Sequence, residues 1–278
     1  MSLVISTSPA GRWQARLDAV PPLAWLALQA AALWTHWRWA AARVVDGSDD
    51  PLGVVALAAL AWAVWRLAPD LRAAPRPGWL GAALLLSVTA TASVFLAPPL
   101  IGALLAVLAL VAGLRAFMPS GRAMLPLTGL AVLALPLISS LQFYAGYPLR
   151  VLTAQLSTWG LQLAGVAAER SGSAMQVEGR LIVVDAPCSG VQMVWMAYFC
   201  ACAVAALVEL DDRRFLRKLP WIGVLVLAGN VLRNSVLVLL EARGAASEAM
   251  HQGIGLAVLA LVCLAVAAIV RGGEDDHA

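Results

Sequence analysis

Runs of about twenty apolar residues recur along this chain from Pro21 to Val270, and they leave few folds open. A helical run of that length covers ~30 Å, the thickness of the hydrocarbon core of a bilayer. No water competes for hydrogen bonds there, so each segment must satisfy its own backbone N–H and C=O groups, which a helix does. Eight runs qualify, at approximately 21–41, 51–68, 78–97, 99–117, 124–144, 188–208, 219–240 and 251–270. Composition agrees: 62% of the 278 residues are hydrophobic and 13% charged, against roughly 45–50% apolar and 25% charged in soluble domains. The reading is an all-α polytopic membrane protein of about eight transmembrane helices, forming one integral domain over residues 1–278. The N-terminus lacks a short apolar core followed by a small-residue cleavage site, so the first run is expected to be retained as a span.

Eight passes put both ends on one side, and the basic residues choose it. With the N-terminus inside, twelve fall on the cytoplasmic side, among them Arg12, Arg16, Arg66, Arg72, Arg76, Arg115 and Arg122, the cluster Arg213, Arg214, Arg217 and Lys218, and Arg271. Six fall outside: Arg38, Arg43, Arg150, Arg170, Arg180 and Arg243. The excess predicts N-in and C-in. A net charge of +3 distributed between apolar segments therefore reports topology, and nucleic acid is not an expected partner.

The predicted layout is five spans over 1–144, an outer segment over 145–187, three spans over 188–270 and a cytoplasmic tail over 271–278. In the outer segment Leu149, Leu152, Leu156, Trp159, Leu163 and Val166 recur at helical spacing, with Arg150, Ser157, Thr158 and Gln162 elsewhere on the wheel. That pattern predicts an amphipathic helix lying on the membrane. Met175–Val177 and Leu181–Val184 about Glu178-Gly179 predict a small β-hairpin. A connection this long is usually functional, and this one runs into Cys188.

Three polar groups then stand out in the last three spans. Cys188 lies in Ala186-Pro187-Cys188-Ser189-Gly190 and opens span six on the outer face; Pro187 suits a helix start, where first-turn amides favour a thiolate. Arg233 lies in Asn230-Val231-Leu232-Arg233-Asn234, about 10 Å below the outer end of span seven. An arginine at that depth costs ~2.5–3.5 kcal/mol on insertion scales, so it is paired or lines a polar cavity. Asn230, Asn234 and Glu241 continue its polar stripe, and an Arg233–Glu241 bridge is the bland alternative to a role in chemistry. His251 opens span eight on the outer face. The three can meet in one shallow pocket, with Cys188 as nucleophile, His251 as general base and Arg233 as donor to an oxyanion or clamp on a substrate carbonyl. Ser189, Gly190 and Gln192 would line the site, and Asp185 or Glu248 would orient His251.

The remaining candidates read as structural. His36 sits among Trp34, Trp37 and Trp39 and predicts an interfacial belt; His277 is in the charged tail; Cys200, Cys202 and Cys263 are packing residues. There is no CxxC pair, so neither a zinc site nor a disulfide framework is expected, and no cofactor is implied.

At these residues the chain resembles the exosortase/archaeosortase family, multi-span membrane enzymes proposed to act as cysteine peptidases or transpeptidases. The resemblance rests on Ala186-Pro187-Cys188-Ser189-Gly190 opening one span, Asn230 and Arg233 in the next, and His251 with Gly255 opening the last. It implies a bacterial inner-membrane enzyme with its site on the periplasmic face. It also implies substrates that are exported proteins ending in a short motif, a hydrophobic helix and a basic cluster. Cys188 would be the nucleophile, with Arg233 and His251 as partners, working in contact with membrane lipid. Thioester resolution by water or by an amine stays open, as does the oligomeric state. The competing classes are a transporter binding an anionic solute at Arg233 and a non-catalytic scaffold of an envelope or exopolysaccharide system.

Overall fold

A computed structural model of the chain describes residues 20–183, 189–245 and 247–272. Ten α-helices and one small sheet are present among them. The first predicted span is two helices broken at Leu33, α1 (Pro22–Ala32) and α2 (Trp34–Val45). At the break the Ala30 carbonyl accepts the Leu33 amide at 3.1 Å and the Trp37 indole N–H at 2.8 Å. Helices α3 (Leu52–Leu67), α4 (Pro77–Leu96) and α5 (Pro99–Phe117) follow. The α4–α5 pair is the most extensively packed in the molecule. Alanines Ala83, Ala90, Ala103, Ala106 and Ala109 are buried in this region, while Leu84, Leu85, Val88 and Phe95 of α4 point outward. Large apolar side chains outside and small ones inside is the arrangement expected where lipid is the solvent and close helix approach supplies the contact.

The fifth predicted span, 124–144, is broken. Helix α6 (Leu125–Leu133) ends short of Pro136, and α7 (Ile138–Leu163) leaves at 96° to it. Pro136 has no N–H for the Val132 carbonyl, which takes the Leu135 amide at 3.1 Å instead, and the α-helix stops there. The outer helix thus begins at Ile138 rather than near 145. It ends at Gly165 (φ +79°), where Val166 N–H reaches back to the Leu161 carbonyl at 2.9 Å and Gly165 N–H to Gln162 at 3.0 Å, the bonding of a Schellman cap.

The hairpin is present and has a third strand. Strands β1 (Ala168–Ser171), β2 (Ala174–Val177) and β3 (Arg180–Val183) form one antiparallel sheet in that order. Val177 pairs with Arg180 across Glu178 (φ +49°) and Gly179 (φ +83°), the two left-handed residues of a tight hairpin turn. Met175, Val177 and Ile182 face inward on Val238 and Ala242. Val184, at the predicted strand end, lies outside the described residues.

The last three helices are α8 (Val191–Leu207), α9 (Asp212–Ala242) and α10 (Glu248–Arg271). Helix α8 packs on α6, α9 and α10. Val258, Val262, Val266 and Val270 recur every fourth residue and turn one face of α10 toward Met193, Ala197, Ala201 and Val226. At 31 residues, α9 is ~46 Å long, more than a bilayer core requires. Its last turns carry the sheet. Helices α3, α4, α5, α9 and α10 are each long and apolar enough to cross a membrane, and the α6–α7 pair makes six if it is one span.

Basic residues gather at one end of the bundle. Arg122 bridges Asp70 (2.7 Å) and Glu209, Arg115 donates to the Arg122 carbonyl, Arg76 to Ser120, and Lys218 to the Ile269 carbonyl. Asp212 accepts the Met124 and Leu125 amides at 2.8 Å each, closing the start of α6 from the foot of α9. The loop Asp46–Asp50 stands at the other end, against the start of α7: Ser139 donates its hydroxyl to the Ser48 carbonyl (2.6 Å) and its amide to Asp49 (3.2 Å).

Candidate active site

Helix α8 does not begin at Pro187. Gly190 is its N-cap, at φ +84° and ψ 0°, and the first helical residue is Val191. The left-handed backbone at Gly190 excludes a helix running through it, so the first-turn amides belong to Val191 and the residues after it. Cys188 stands three positions ahead of the helix. Cys188 and Asp185 themselves lie outside the described residues; Ser189 and Gly190 follow directly.

Ser189 is buried. Its hydroxyl donates to Gln142 Oε1 of α7 at 3.1 Å and accepts the Val191 amide at 3.3 Å. A Cβ on Gly190 would come within 2.8 Å of Asn230 Cγ and Nδ2, so the turn after Cys188 rests directly on α9. Asn230 is 3% exposed and donates its amide to Thr153 Oγ1 of α7 at 3.0 Å. One turn on, Asn234 donates to Ser157 Oγ at 3.0 Å and to Met175 Sδ of β2 at 3.7 Å. The asparagines thus bind α9 to α7 and to the sheet.

Arg233 projects from α9 toward α10. A Cβ on Gly255 would lie 3.2 Å from Arg233 Nε and 3.4 Å from Nη2, so the missing side chain at 255 is the space the guanidinium fills. His251 is one helical turn before Gly255 on α10, hence on the same face, and is half-buried. The Arg233–Glu241 bridge is not among the ion pairs of the described residues. Eight residues of helix set the two ~12 Å apart along the axis. Glu241 is exposed, and its main-chain carbonyl accepts a bond from Arg180.

Three further candidates have partners of their own. Glu248 accepts the Gln252 amide at 3.0 Å. Gln192 is exposed and donates to Asp50 Oδ2 at 3.1 Å, tying the head of α8 to the Asp46–Asp50 loop. His36 is no interfacial residue: it is buried, its Nε2 3.1 Å from the Ala90 carbonyl, with its ring edge filling the space above Gly102. The packing role of the deeper cysteines agrees with their placement, Cys202 buried against Gly129 and the Cys200 thiol on the Cys263 carbonyl at 3.5 Å. No group of three or more metal-ligating side chains occurs among the described residues.

Gln142, Thr153 and Ser157 were missed as candidates. No sequence signal marks the two hydroxyls, since on a helix read as lying at an interface they are expected to face water. A cavity of ~740 Å³ between α1, α2, α3, α5 and α6 lies elsewhere; its lining is apolar except for Asp50. Without a convergent set of polar groups it has room but no chemistry.

A helical membrane protein that brings three short polar segments together at one end of its last three helices defines a class narrower than its hydropathy. Over residues 39–268 the chain matches the family model described as transmembrane exosortase (Exosortase_EpsH). The match covers well over half of the chain, which therefore belongs to the transmembrane exosortase family, a family of membrane transpeptidases that act on sorting signals. No curated protein and no solved structure matches it.

Proposed function

We propose that this exosortase is a membrane cysteine endopeptidase or transpeptidase that cuts the C-terminal sorting signals of exported proteins through a thioester at Cys188. One juxtaposition carries the reading. The turn after Cys188 rests on Asn230, while Arg233 of the same helix rests on α10 at Gly255, one turn from His251.

The chemistry follows from the residue types. His251 takes the proton of the Cys188 thiol, and the thiolate attacks the scissile carbonyl carbon, whose π electrons move to oxygen. Arg233 stabilises that oxyanion. Collapse re-forms the carbonyl and breaks the C–N bond; the leaving amine takes the proton from His251, and the thioester remains. Water or an acceptor amine then attacks the thioester, gives a proton to His251 and releases Cys188.

In the same reading the broken α1–α2 pair, α3, α4, α5, α6, α8, α9 and α10 make eight passes, with both termini in the cytoplasm of a bacterium. The basic end of the bundle, at Arg122 and Lys218, supports this orientation. The site opens on the periplasmic face, under α7 and the sheet. The segments 1–144, 145–187 and 188–270 then act as scaffold, outer cover and catalytic helices, followed by the tail 271–278. The partners are exported proteins ending in a motif, an apolar helix and a basic cluster, met within the lipid.

The test is to co-express the chain with such a protein carrying a C-terminal tag and follow tag removal. Cys188→Ala should abolish processing. Arg233→Ala should slow it by roughly 10²–10³-fold, as for loss of an oxyanion donor, and His251→Ala by about 10²–10⁴-fold. Normal processing by Cys188→Ala overturns the assignment.

A further inference from the structure

We infer that Thr153 and Ser157 of α7 are positioning residues for the active site, acting through Asn230 and Asn234; the inference rests on the site proposed above. Nine polar or charged side chains are buried among the described residues, and five of them, Thr153, Ser157, Ser189, Asn230 and Asn234, lie in the seam where α7 crosses α8 and α9. Polar burial is costly unless each group is bonded. Its concentration here, beside the segments that converge on Cys188, marks a place where geometry matters more than apolar packing.

The seam is a ladder. Thr153 and Ser157 are one turn apart on α7; Asn230 and Asn234 are one turn apart on α9. The rungs are 3.0 Å hydrogen bonds, Asn230 Nδ2 to Thr153 Oγ1 and Asn234 Nδ2 to Ser157 Oγ. A third contact runs from Ser157 Oγ to the Val231 carbonyl at 3.3 Å. Two attachments one turn apart fix both the rotation of α9 about its axis and its height against α7. Arg233 is adjacent to Asn234 and displaced by ~100° around the helix, so the rotation that seats the asparagines on α7 is the rotation that sends the guanidinium to Gly255. The Asn230–Thr153 rung also holds the Asn230 amide against Gly190, two residues from Cys188. Gln142 completes the arrangement by accepting the Ser189 hydroxyl. Helix α7 thereby holds the nucleophile turn at Ser189 and the arginine helix at two rungs.

The experiment is a set of α7 variants assayed for kcat and KM in the tag-removal reaction, with melting temperature measured in detergent. Thr153→Val keeps the shape and removes the acceptor. It should lower kcat by about tenfold, the worth of one buried hydrogen bond expressed in the transition state, with KM unchanged within about twofold. Thr153→Ser, which restores the hydroxyl, should recover most of the rate. The double variant Thr153→Val with Asn230→Ala should be no slower than Asn230→Ala alone, since both break one rung. Wild-type kcat in Thr153→Val, failure of Thr153→Ser to rescue, or additive losses in the double variant each overturn the ladder. If the wild type itself leaves the tagged protein uncut, the proposed activity fails. The ladder is then read from the alkylation rate of Cys188, followed by mass spectrometry of its peptide. Thr153→Val loosens Asn230, on which the turn after Cys188 rests, and should slow alkylation by about threefold, and Thr153→Ser should restore it; an unchanged rate overturns the ladder.

Discussion

Gly190 meets two demands at once. Its φ of +84° is a conformation L-residues rarely adopt, and a side chain there would meet Asn230 at 2.8 Å. Gly190→Ala should therefore cost ~1–3 kcal/mol of strain and lower both the melting temperature and the processing rate. Gly255 meets only one. Its helix is regular, and an added Cβ would touch the far end of the Arg233 side chain at 3.2 Å, which yields. Gly255→Ala should leave melting unchanged and slow processing by displacing the guanidinium, a split visible when both are measured on one preparation. Both glycines stand beside residues that the sequence alone singles out, because thiol, guanidinium and imidazole groups are conspicuous among leucines and alanines. Thr153, Ser157 and Gln142 were not legible in the same way. On a helix read as lying at an interface, hydroxyls are expected to face water, and only the tertiary crossing of α7 on α9 turns them inward.

At the scale of elements, period and punctuation carry most of the information. Helices α3, α4, α5, α9 and α10 follow from uninterrupted apolar runs, and the β2–β3 hairpin from Glu178-Gly179 between strand-forming residues. The break at Pro136 was masked by the leucines on either side, which continue the hydropathy of span five across a 96° bend. Strand β1 was missed because Glu169-Arg170-Ser171 has no apolar alternation; it is a strand because β2 offers it an edge. Connections at the basic end make a separate prediction. Glu209, left-handed at φ +51° between α8 and α9, is bonded to Arg122. That side-chain bond, helped by the charges of Arg122 and Arg66, holds its carboxyl below the usual carboxylate range and raises Arg122 in turn. A carboxylate depressed in the folded state contributes stability above its unfolded pKa, roughly 4.3, and loses it as pH falls through the folded value. The melting-temperature gap between wild type and Glu209→Gln should accordingly be present at neutral pH and close below about pH 4. A gap that persists in acid would assign the effect of Glu209 to its backbone conformation instead.

For the whole molecule, the helices divide by what they carry. Helices α4 and α5 pack through alanines, with large apolar residues turned outward. The polar seam belongs to α7, α8, α9 and the sheet, and it stands at the end of the bundle opposite the Arg122 cluster. The five N-terminal runs carry apolar packing, and the long connection before Cys188 is a helix and a three-stranded sheet packed against α9. Buried polar side chains gather where α7 bends across the bundle, a bonded polar layer above an apolar one. The central claim is that this layer serves a covalent intermediate at Cys188, and its most direct test is to trap the acyl-enzyme. Purified protein is mixed with a peptide spanning the sorting motif of its substrate, quenched in acid and digested for mass spectrometry. The account predicts a hydroxylamine-sensitive adduct of the substrate's N-terminal fragment on the Cys188 peptide, absent from Cys188→Ala. Substrate cleavage at the wild-type rate by Cys188→Ala, with no adduct on the wild type, would contradict it.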